Sequence, residues 1–368
     1  MPINESLKKV QKKCNFIDAF RVDLLSWYDK NHRSLPWRSQ SAAHENPYHV
    51  WLSEIMLQQT TVPTVIPYFL KFIDLWPSVE DLAAANNDDV MREWAGLGYY
   101  ARARNLHKCA KAVTEEYGGK FPQDAQELKK LPGIGDYTSA AIASIAFDKP
   151  ATVVDGNVDR IMARLFKIET PLPKGKTDVR GYAETMSDGR TDRPSAYAQA
   201  LMDLGSMVCT PKTPKCGVCP ISKYCTAYKT GTVELYPKKA PKKKKPRRYG
   251  HIYIVTDTKG RLLLEKRQDK GLLGGMTGLP THEWCETEDI AFAPPVEAEE
   301  GAWLRLNEKA YHVFTHFELE MTVYTTKIDD LLSISLNSNY IIENIDEADR
   351  IGLPTVFKKP YLLAKKTL

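Results

Sequence analysis

Four cysteines, Cys209, Cys216, Cys219 and Cys225, stand in the spacing C-x6-C-x2-C-x5-C. Pro211, Pro214 and Pro220 interrupt the same segment, which also holds Lys212, Lys215 and Lys223. A loop of that composition has no apolar core of its own, and four thiolates closing around a metal or cluster would replace one. Ligand type alone leaves zinc and iron–sulfur open. Zinc ribbons use two close C-x2-C pairs, whereas only Cys216 and Cys219 are so paired here, which favours a [4Fe–4S] cluster.

A disulfide framework does not suit this chain. The lysines of the first fourteen residues have no apolar stretch behind them, and no run approaches the roughly 18 apolar residues that a spanning helix needs. The expected setting is the cytoplasm, at the nucleoid and away from membranes, where thiols stay reduced. Cys14, Cys109 and Cys285 show no ligand spacing and are expected to be buried thiols. With 368 residues the chain has room for about two domains. The formal net charge is +5, yet 238–248 alone hold eight basic residues and no acid, so the remainder is net acidic. Such a block reads first as a solvated linker.

Hydrophobic periodicity divides the chain at that block. Before it, Phe16, Ile17, Phe20, Leu24, Trp27 and Tyr28 fall on one helical face. Further helices are expected over 48–58, from Thr61 with Pro63 in the first turn, over 90–94, over 101–117, and through Val158, Ile161, Met162 and Leu165. Gln58-Gln59-Thr60 is then an inter-helical turn. After the block, Ile252 and Ile254, Leu262 and Leu264, and Phe317, Leu319, Met321 and Val323 alternate as half-buried strands do. The expected organisation is an all-α domain over 1–236, a basic linker over 237–248, and a smaller α+β domain over 249–368.

Three local patterns carry chemistry. Leu131-Pro132-Gly133-Ile134-Gly135-Asp136-Tyr137-Thr138 stands between helical segments, and Gly133 and Gly135 let the backbone turn sharply and present N–H groups to a phosphate. Val154-Asp155-Gly156-Asn157-Val158 precedes a helix. Asp155 reads most simply as an N-cap, and the same placement suits an ionised catalytic carboxylate. Glu54, in Val50-Trp51-Leu52-Ser53-Glu54-Ile55-Met56-Leu57, reads from local sequence as an exposed helix residue. If buried instead, it would hold its proton near neutral pH and could serve as a general acid.

Met56-Leu57-Gln58-Gln59-Thr60, Gly96-Leu97-Gly98-Tyr99-Tyr100, the Leu131–Gly135 turn, the Val154–Val158 segment and the four-cysteine loop occur in the order found in adenine DNA glycosylases of the MutY type. About residues 30 to 230 resemble that family. The resemblance implies a two-lobed helix-hairpin-helix glycosylase domain of the endonuclease III superfamily, holding a [4Fe–4S] cluster on Cys209, Cys216, Cys219 and Cys225. It implies Glu54 as the general acid on adenine, Asp155 as the carboxylate facing an oxocarbenium-like sugar, Tyr137 beside the sugar and Asn157 orienting Asp155. Arg38 and Gln199 match positions that hold the extruded adenine. Gln59 and Tyr99 match residues that wedge into the base stack, and Leu57, Gly133 and Gly135 join them among the DNA-binding positions. Endonuclease III has lysine where Tyr137 stands, and its amine forms a Schiff base with the sugar and cuts the strand. The tyrosine implies a monofunctional enzyme. The stretch 39–46 is longer than usual in the family.

The C-terminal domain resembles the Nudix-like domain that the family uses to recognise 8-oxoguanine, through Gly271-Leu272-Leu273-Gly274-Gly275-Met276 and Phe314-Thr315-His316. No Arg-Glu-x-x-x-Glu-Glu run follows the glycines, so binding and not hydrolysis is implied. Thr315 stands where the family commonly has serine. The expected partner is double-stranded DNA with adenine opposite 8-oxoguanine or guanine, bound by a monomer. Lys212, Lys215, Lys223, Arg102 and Arg104 are the expected phosphate ligands. Two rival readings are an endonuclease III-like lyase acting on oxidised pyrimidines and a non-catalytic iron–sulfur DNA-binding protein.

Overall fold

The computed structural model of the protein describes residues 3–39, 45–188, 192–241, 244–268, 271–298, 302–345 and 353–366, with side chains from Phe16 onward. Residues 40–44 of the long 39–46 stretch, 242–243 of the basic block and the side chain of Cys14 lie outside that description. The helices before the basic block are α1 (Ile3–Asn31), α2 (Pro47–Leu57), α3 (Val62–Leu75), α4 (Val79–Ala84), α5 (Asn87–Glu93), α6 (Ala101–Tyr117), α7 (Ala125–Leu128), α8 (Asp136–Phe147), α9 (Gly156–Leu165), α10 (Lys176–Ser187), α11 (Pro194–Met207) and α12 (Thr226–Lys229). After it come the strands β1 (Arg247–Asp257), β2 (Arg261–Lys266), β3 (Thr277–Gly278), β4 (Leu304–Arg305), β5 (Ala310–Val313), β6 (Glu318–Ile328) and β7 (Tyr340–Asn344), then α13 (Thr355–Ala364). No helix is long and apolar enough to cross a membrane among the described residues.

The chain forms two compact units: Met1–Ala84 with Lys108–Pro241, and Ala85–His107 with Lys242–Leu368. Residues 85–107, which the sequence assigns to the helical domain, group with the strand-rich part.

In the first unit, α2 starts where Asn46 accepts hydrogen bonds from the N–H groups of Tyr48 and His49, with Pro47 in the first turn where a missing N–H costs nothing. It packs against α3 and α8. From Trp51 to Met56 every residue is buried, so the helix is enclosed all round and has no solvent face. The small residues of α8, Ser139 to Ala141 and Ala143, Ser144 and Ala146, admit that close neighbour. A second core joins Phe20, Leu24 and Leu25 of α1 to Val158, Ile161, Met162 and Leu165 of α9 and to Leu201 and Leu204 of α11. Each large aliphatic side chain so removed from water contributes roughly 1.5–3 kcal/mol. Cys209, Cys219 and Cys225 pack on the edge of this core.

In the second unit, β1 lies parallel to β6 in unbroken register from Arg247 opposite Glu318 to Asp257 opposite Ile328. The antiparallel strands β2, β4, β5 and β7 extend the sheet around this pair. The expectation of half-buried strands is corrected here: β1 is buried at every residue from Gly250 to Asp257. Ile252 and Ile254 face a core closed by Val356, Phe357 and Tyr361 of α13, while Val255 packs with Leu263, Val296 and Leu331 on the other side. A core on each face sets this double burial of β1, whereas its parallel partner β6 keeps half-buried positions at Thr322 and Tyr324 as alternation suggests. No helix lies between β3 and β4 among the described residues. Cys109 is buried as expected, whereas Cys285 is exposed, because it sits on a surface segment bridged to Tyr249.

Candidate active site and cluster loop

Glu54 is 7% exposed, which overturns its reading as a surface residue. The wall that encloses it is the Ala/Ser-rich α8, far away in sequence. Burial pushes its carboxyl up to about 7; the Tyr137 hydroxyl and Arg38 oppose that rise and Asp155 adds to it. Tyr137 Oη donates to Glu54 Oε2 at 2.7 Å. Burial, together with the charges of Glu54 and Asp155, pushes that phenol well above its usual range. Tyr137 is held there by the turn before α8. Gly133 has φ +76°, a conformation costly for any residue with a Cβ. Gly135 caps α8 with no side-chain acceptor, so the first N–H groups of α8 have no side-chain cap.

Asp155 is the N-cap of α9 as the sequence suggests, and its carboxylate accepts three hydrogen bonds. Oδ1 takes the N–H groups of Asn157 at 2.9 Å and Val158 at 2.7 Å, and Oδ2 takes Asn157 Nδ2 at 2.7 Å. Asn157 is fixed in turn by Arg160, whose Nη2 donates to Asn157 Oδ1 at 2.9 Å and to the Gly205 carbonyl at 2.6 Å, while Nε donates to the Cys209 carbonyl at 2.6 Å. A Cβ on Gly205 would lie 2.4 Å from Asn157 Cβ. Sequence reasoning missed Arg160. Its only signal is a pair of arginines, Arg160 and Arg164, four apart in a helix whose residues from Val158 to Leu165 are all buried.

Arg38 lies near enough to Glu54 to act on its charge, but both its terminal nitrogens are engaged by Asp203, at 2.7 and 2.9 Å. Arg33 also bonds Asp203, through its N–H at 2.9 Å and Nε at 2.6 Å. Although burial opposes charge on Asp203, these arginines hold its carboxyl below the usual range. Neither Arg33 nor Asp203 was singled out from sequence. Gln199 is buried on α11, donates from Nε2 to Ser195 Oγ at 3.1 Å, and keeps Oε1 buried without a hydrogen-bond partner.

Gln59 is exposed in the turn after the half-buried Leu57, with φ +60°, a left-handed conformation that costs a non-glycine residue about 1 kcal/mol or more. In the second unit Tyr99 repeats this, with φ +48° and 52% exposure. Its hydroxyl lies 3.0 Å from Thr315 Oγ1. Arg102 was expected on phosphate; it is buried, stacks on Trp94 and Tyr99, and donates to the carbonyls of Leu97 at 2.9 Å and Gly98 at 3.1 Å. Arg104 likewise donates to the Gly274 carbonyl. Arg102 is thus tied to the backbone of its own turn, while Arg104 is half-buried. Lys212 and Lys215 are exposed; Lys223 is exposed too and pairs with Asp23 at 2.8 Å. Phe314 is half-buried, and Thr315 and His316 are exposed in the turn between β5 and β6.

Cys209, Cys216, Cys219 and Cys225 are free thiols that line one cavity with Ile161, Leu165 and Val208. Arg164 Nη1 donates to Cys209 Sγ at 3.2 Å and to the Thr210 carbonyl at 2.8 Å. Four thiols around a single apolar hollow, with a cation on the first sulfur, suit an anionic cluster.

Residues 52–180 match the HhH-GPD superfamily of base excision DNA repair proteins, 209–225 the iron–sulfur binding domain of endonuclease III, and 251–362 the NUDIX domain. The adenine DNA glycosylase of Mus musculus is 35% identical over 375 residues, covering 85% of this chain and 71% of that one. The adenine DNA glycosylase of Buchnera aphidicola subsp. Schizaphis graminum is 33% identical, covering 93% and 98%. The chain belongs to the adenine DNA glycosylase family. A thermostable thymine-DNA glycosylase shares the fold at TM-score 0.52 and 29% identity, covering 60% of this chain and 99% of that one. This glycosylase therefore hydrolyses N-glycosidic bonds in base excision repair and carries an iron–sulfur cluster on its four-cysteine loop. Cys209, Cys216, Cys219 and Cys225 would hold the cluster, and Arg160 and Arg164 of α9 donate to the carbonyl and the sulfur of Cys209.

Proposed function

We propose that the enzyme removes adenine paired with 8-oxoguanine or guanine in duplex DNA, as a monofunctional glycosylase that acts as a monomer. The observation that carries this reading is Glu54: a buried carboxyl with its pKa raised to about 7, bonded by Tyr137 in a domain where a second carboxylate, Asp155, is clamped at a helix N-terminus. A glycosidic bond inside a stacked duplex is out of reach of both groups, so the nucleotide must be extruded. Glu54 then delivers its proton to a ring nitrogen of adenine. The C–N bond breaks with its electron pair going to the base, which leaves neutral. Asp155, oriented by Asn157, faces the positive charge left on the sugar, and water adds at the anomeric carbon.

The buried, unpartnered Oε1 of Gln199 suits the exocyclic amine of adenine. Arg38, with its fork on Asp203, acts there as a fixed charge near Glu54. Tyr137 offers no amine for a Schiff base, so the product is an intact abasic site. Gln59 and Tyr99 fill the stack, and Phe314, Thr315 and His316 read the base opposite adenine. The uncapped N–H groups of α8, with Lys212 and Lys215, meet phosphates, so affinity falls steeply with salt.

The test is single-turnover release of free adenine from a duplex with one adenine opposite 8-oxoguanine, analysed with and without alkali. Release with strand cleavage only after alkali is expected. Cleavage without alkali, or faster release of thymine opposite guanine than of adenine, would overturn the proposal.

A further inference from the structure

The turn that presents Thr315 and His316 closes on one backbone hydrogen bond, from the Phe314 N–H to the Phe317 carbonyl at 2.9 Å, and Lys245 Nζ donates to the Phe314 carbonyl at 2.7 Å. Its two phenylalanines are packed from several sides: the His312 ring lies 4.4 Å from Phe314 and the Arg248 guanidinium 4.6 Å from the Phe317 ring. The rings of Phe314 and Phe317 are 4.8 Å apart, and the indole of Trp284 backs both, at 5.4 Å from Phe314 and 6.1 Å from Phe317. Trp284 comes from a separate segment and is itself clamped. Its Nε1–H donates to Thr281 Oγ1 at 3.1 Å, and the Thr281 hydroxyl donates to the His251 carbonyl at 2.7 Å. The neighbouring Cys285 exchanges two backbone hydrogen bonds with Tyr249, and the Arg267 guanidinium sits 5.6 Å from the indole.

The Cδ1–Nε1 edge of the half-buried indole lies against Gly250. Glycine weakens a strand interior and there usually marks a close approach by another group. Gly250 is not among the glycines with positive φ, so turn geometry does not require it. Space does: a Cβ there would stand 2.6 Å from Trp284 Cδ1 and 3.2 Å from Nε1. Strand β1 thus gives up a side chain at the one place where the indole must lie.

We propose that Trp284, seated on Gly250, is a positioning residue for discrimination of the base opposite adenine. It touches no DNA and acts by fixing the Phe314–Phe317 turn, so this inference rests on the reading of that turn given above. Hydrogen-bond selection between 8-oxoguanine and guanine needs the Thr315 and His316 groups held within a fraction of an ångström. An aromatic pair with its backing removed does not hold them so.

The experiment uses the full-length, cluster-loaded enzyme and measures the ratio of single-turnover adenine release opposite 8-oxoguanine to release opposite guanine. In Trp284→Ala the ratio falls about tenfold or more, the scale on which ångström misplacement is felt, and Trp284→Phe restores most of it. Gly250→Ala, which keeps the indole but pushes it off its seat, lowers the ratio in the same direction and covers the case where Trp284→Ala fails to fold. Equal losses on both duplexes, with the ratio intact, would show a merely structural role and overturn the proposal. Thr315→Ala separates the two ideas. If it lowers the ratio while the Trp284 and Gly250 variants do not, the inference fails and the reading of the turn stands; if it too leaves the ratio unchanged, both fail.

Discussion

Replacing Tyr137 by Phe removes one donor from Glu54 and leaves the ring in place. The hydrogen bond it deletes, 2.7 Å from Oη to Oε2, favours the ionised carboxylate and so holds the Glu54 pKa down against burial. A hydrogen bond to a charged group is worth about 1.5–3 kcal/mol, and 1.36 kcal/mol corresponds to one pKa unit. Its loss moves Glu54 from about 7 upward by roughly one to two units. The active form carries the proton, so the alkaline limb of the rate profile moves up by the same amount. At pH 8 the unmodified acid is about one-tenth protonated, and the variant acid is roughly half or more protonated. Relative to its own rate at pH 6, Tyr137→Phe should therefore release adenine at pH 8 about five- to tenfold better than the parent. Single-turnover rates from pH 5 to 9, with chemistry isolated from product release, measure this directly. An alkaline limb that stays in place or moves down would refute the assignment of Glu54 as the acid, or of Tyr137 as the group that tunes it.

Glu54→Gln should abolish adenine release yet strengthen the helical domain at alkaline pH. A carboxyl raised from 4.5 to about 7 on folding adds to stability below its unfolded pKa and loses that contribution as pH rises through 7, a swing of about 3 kcal/mol. Urea denaturation of the parent and the variant at pH 5 and pH 8 checks the sign: the gap must open on the alkaline side. Arg160→Met strips donors from the Asn157 side chain and from the Gly205 and Cys209 carbonyls, at about 1–3 kcal/mol for each buried acceptor left unpaired. Adenine release should fall at least tenfold with iron content retained, and Arg160→Lys should not restore it because an ammonium lacks the planar fork. Cys219→Ser should lose the visible absorption of the cluster and loosen α9 together with residues 209–225, seen as faster amide hydrogen exchange in both segments.

How far the site is legible in sequence depends on how local each part is. Asp155 and Asn157 complete their geometry within four residues of a helix start, so a cap pattern exposes them. The cysteine loop is legible for the same reason. Glu54 is not, because its neighbours along α2 say nothing of α8, whose Tyr137 lies 83 residues on. Asp203 binds Arg33 and Arg38 across 170 and 165 residues, and no periodicity announces such a pairing. The strands are visible as alternation, but β1 and β6 meet in parallel across a long excursion, and a pattern read along one strand does not name its partner. Arg102 and Arg104 show the converse limit: composition marks them as basic, while their use inside a fold depends on Trp94 and Gly274.

Gly205 has a consequence for mutation at the level of the gene. Helix α11 accepts a glycine that costs about 1 kcal/mol against alanine, because a methyl group there would collide with Asn157. Alanine at that position would suit the helix, but its Cβ would press on the Cβ and the backbone Cα of Asn157, the residue that orients Asp155. A single codon change would thus fall on the start of α9 and on the residue that aims its carboxylate, and through them on repair. Such an allele would be exposed by the substitutions that accumulate in its lineage.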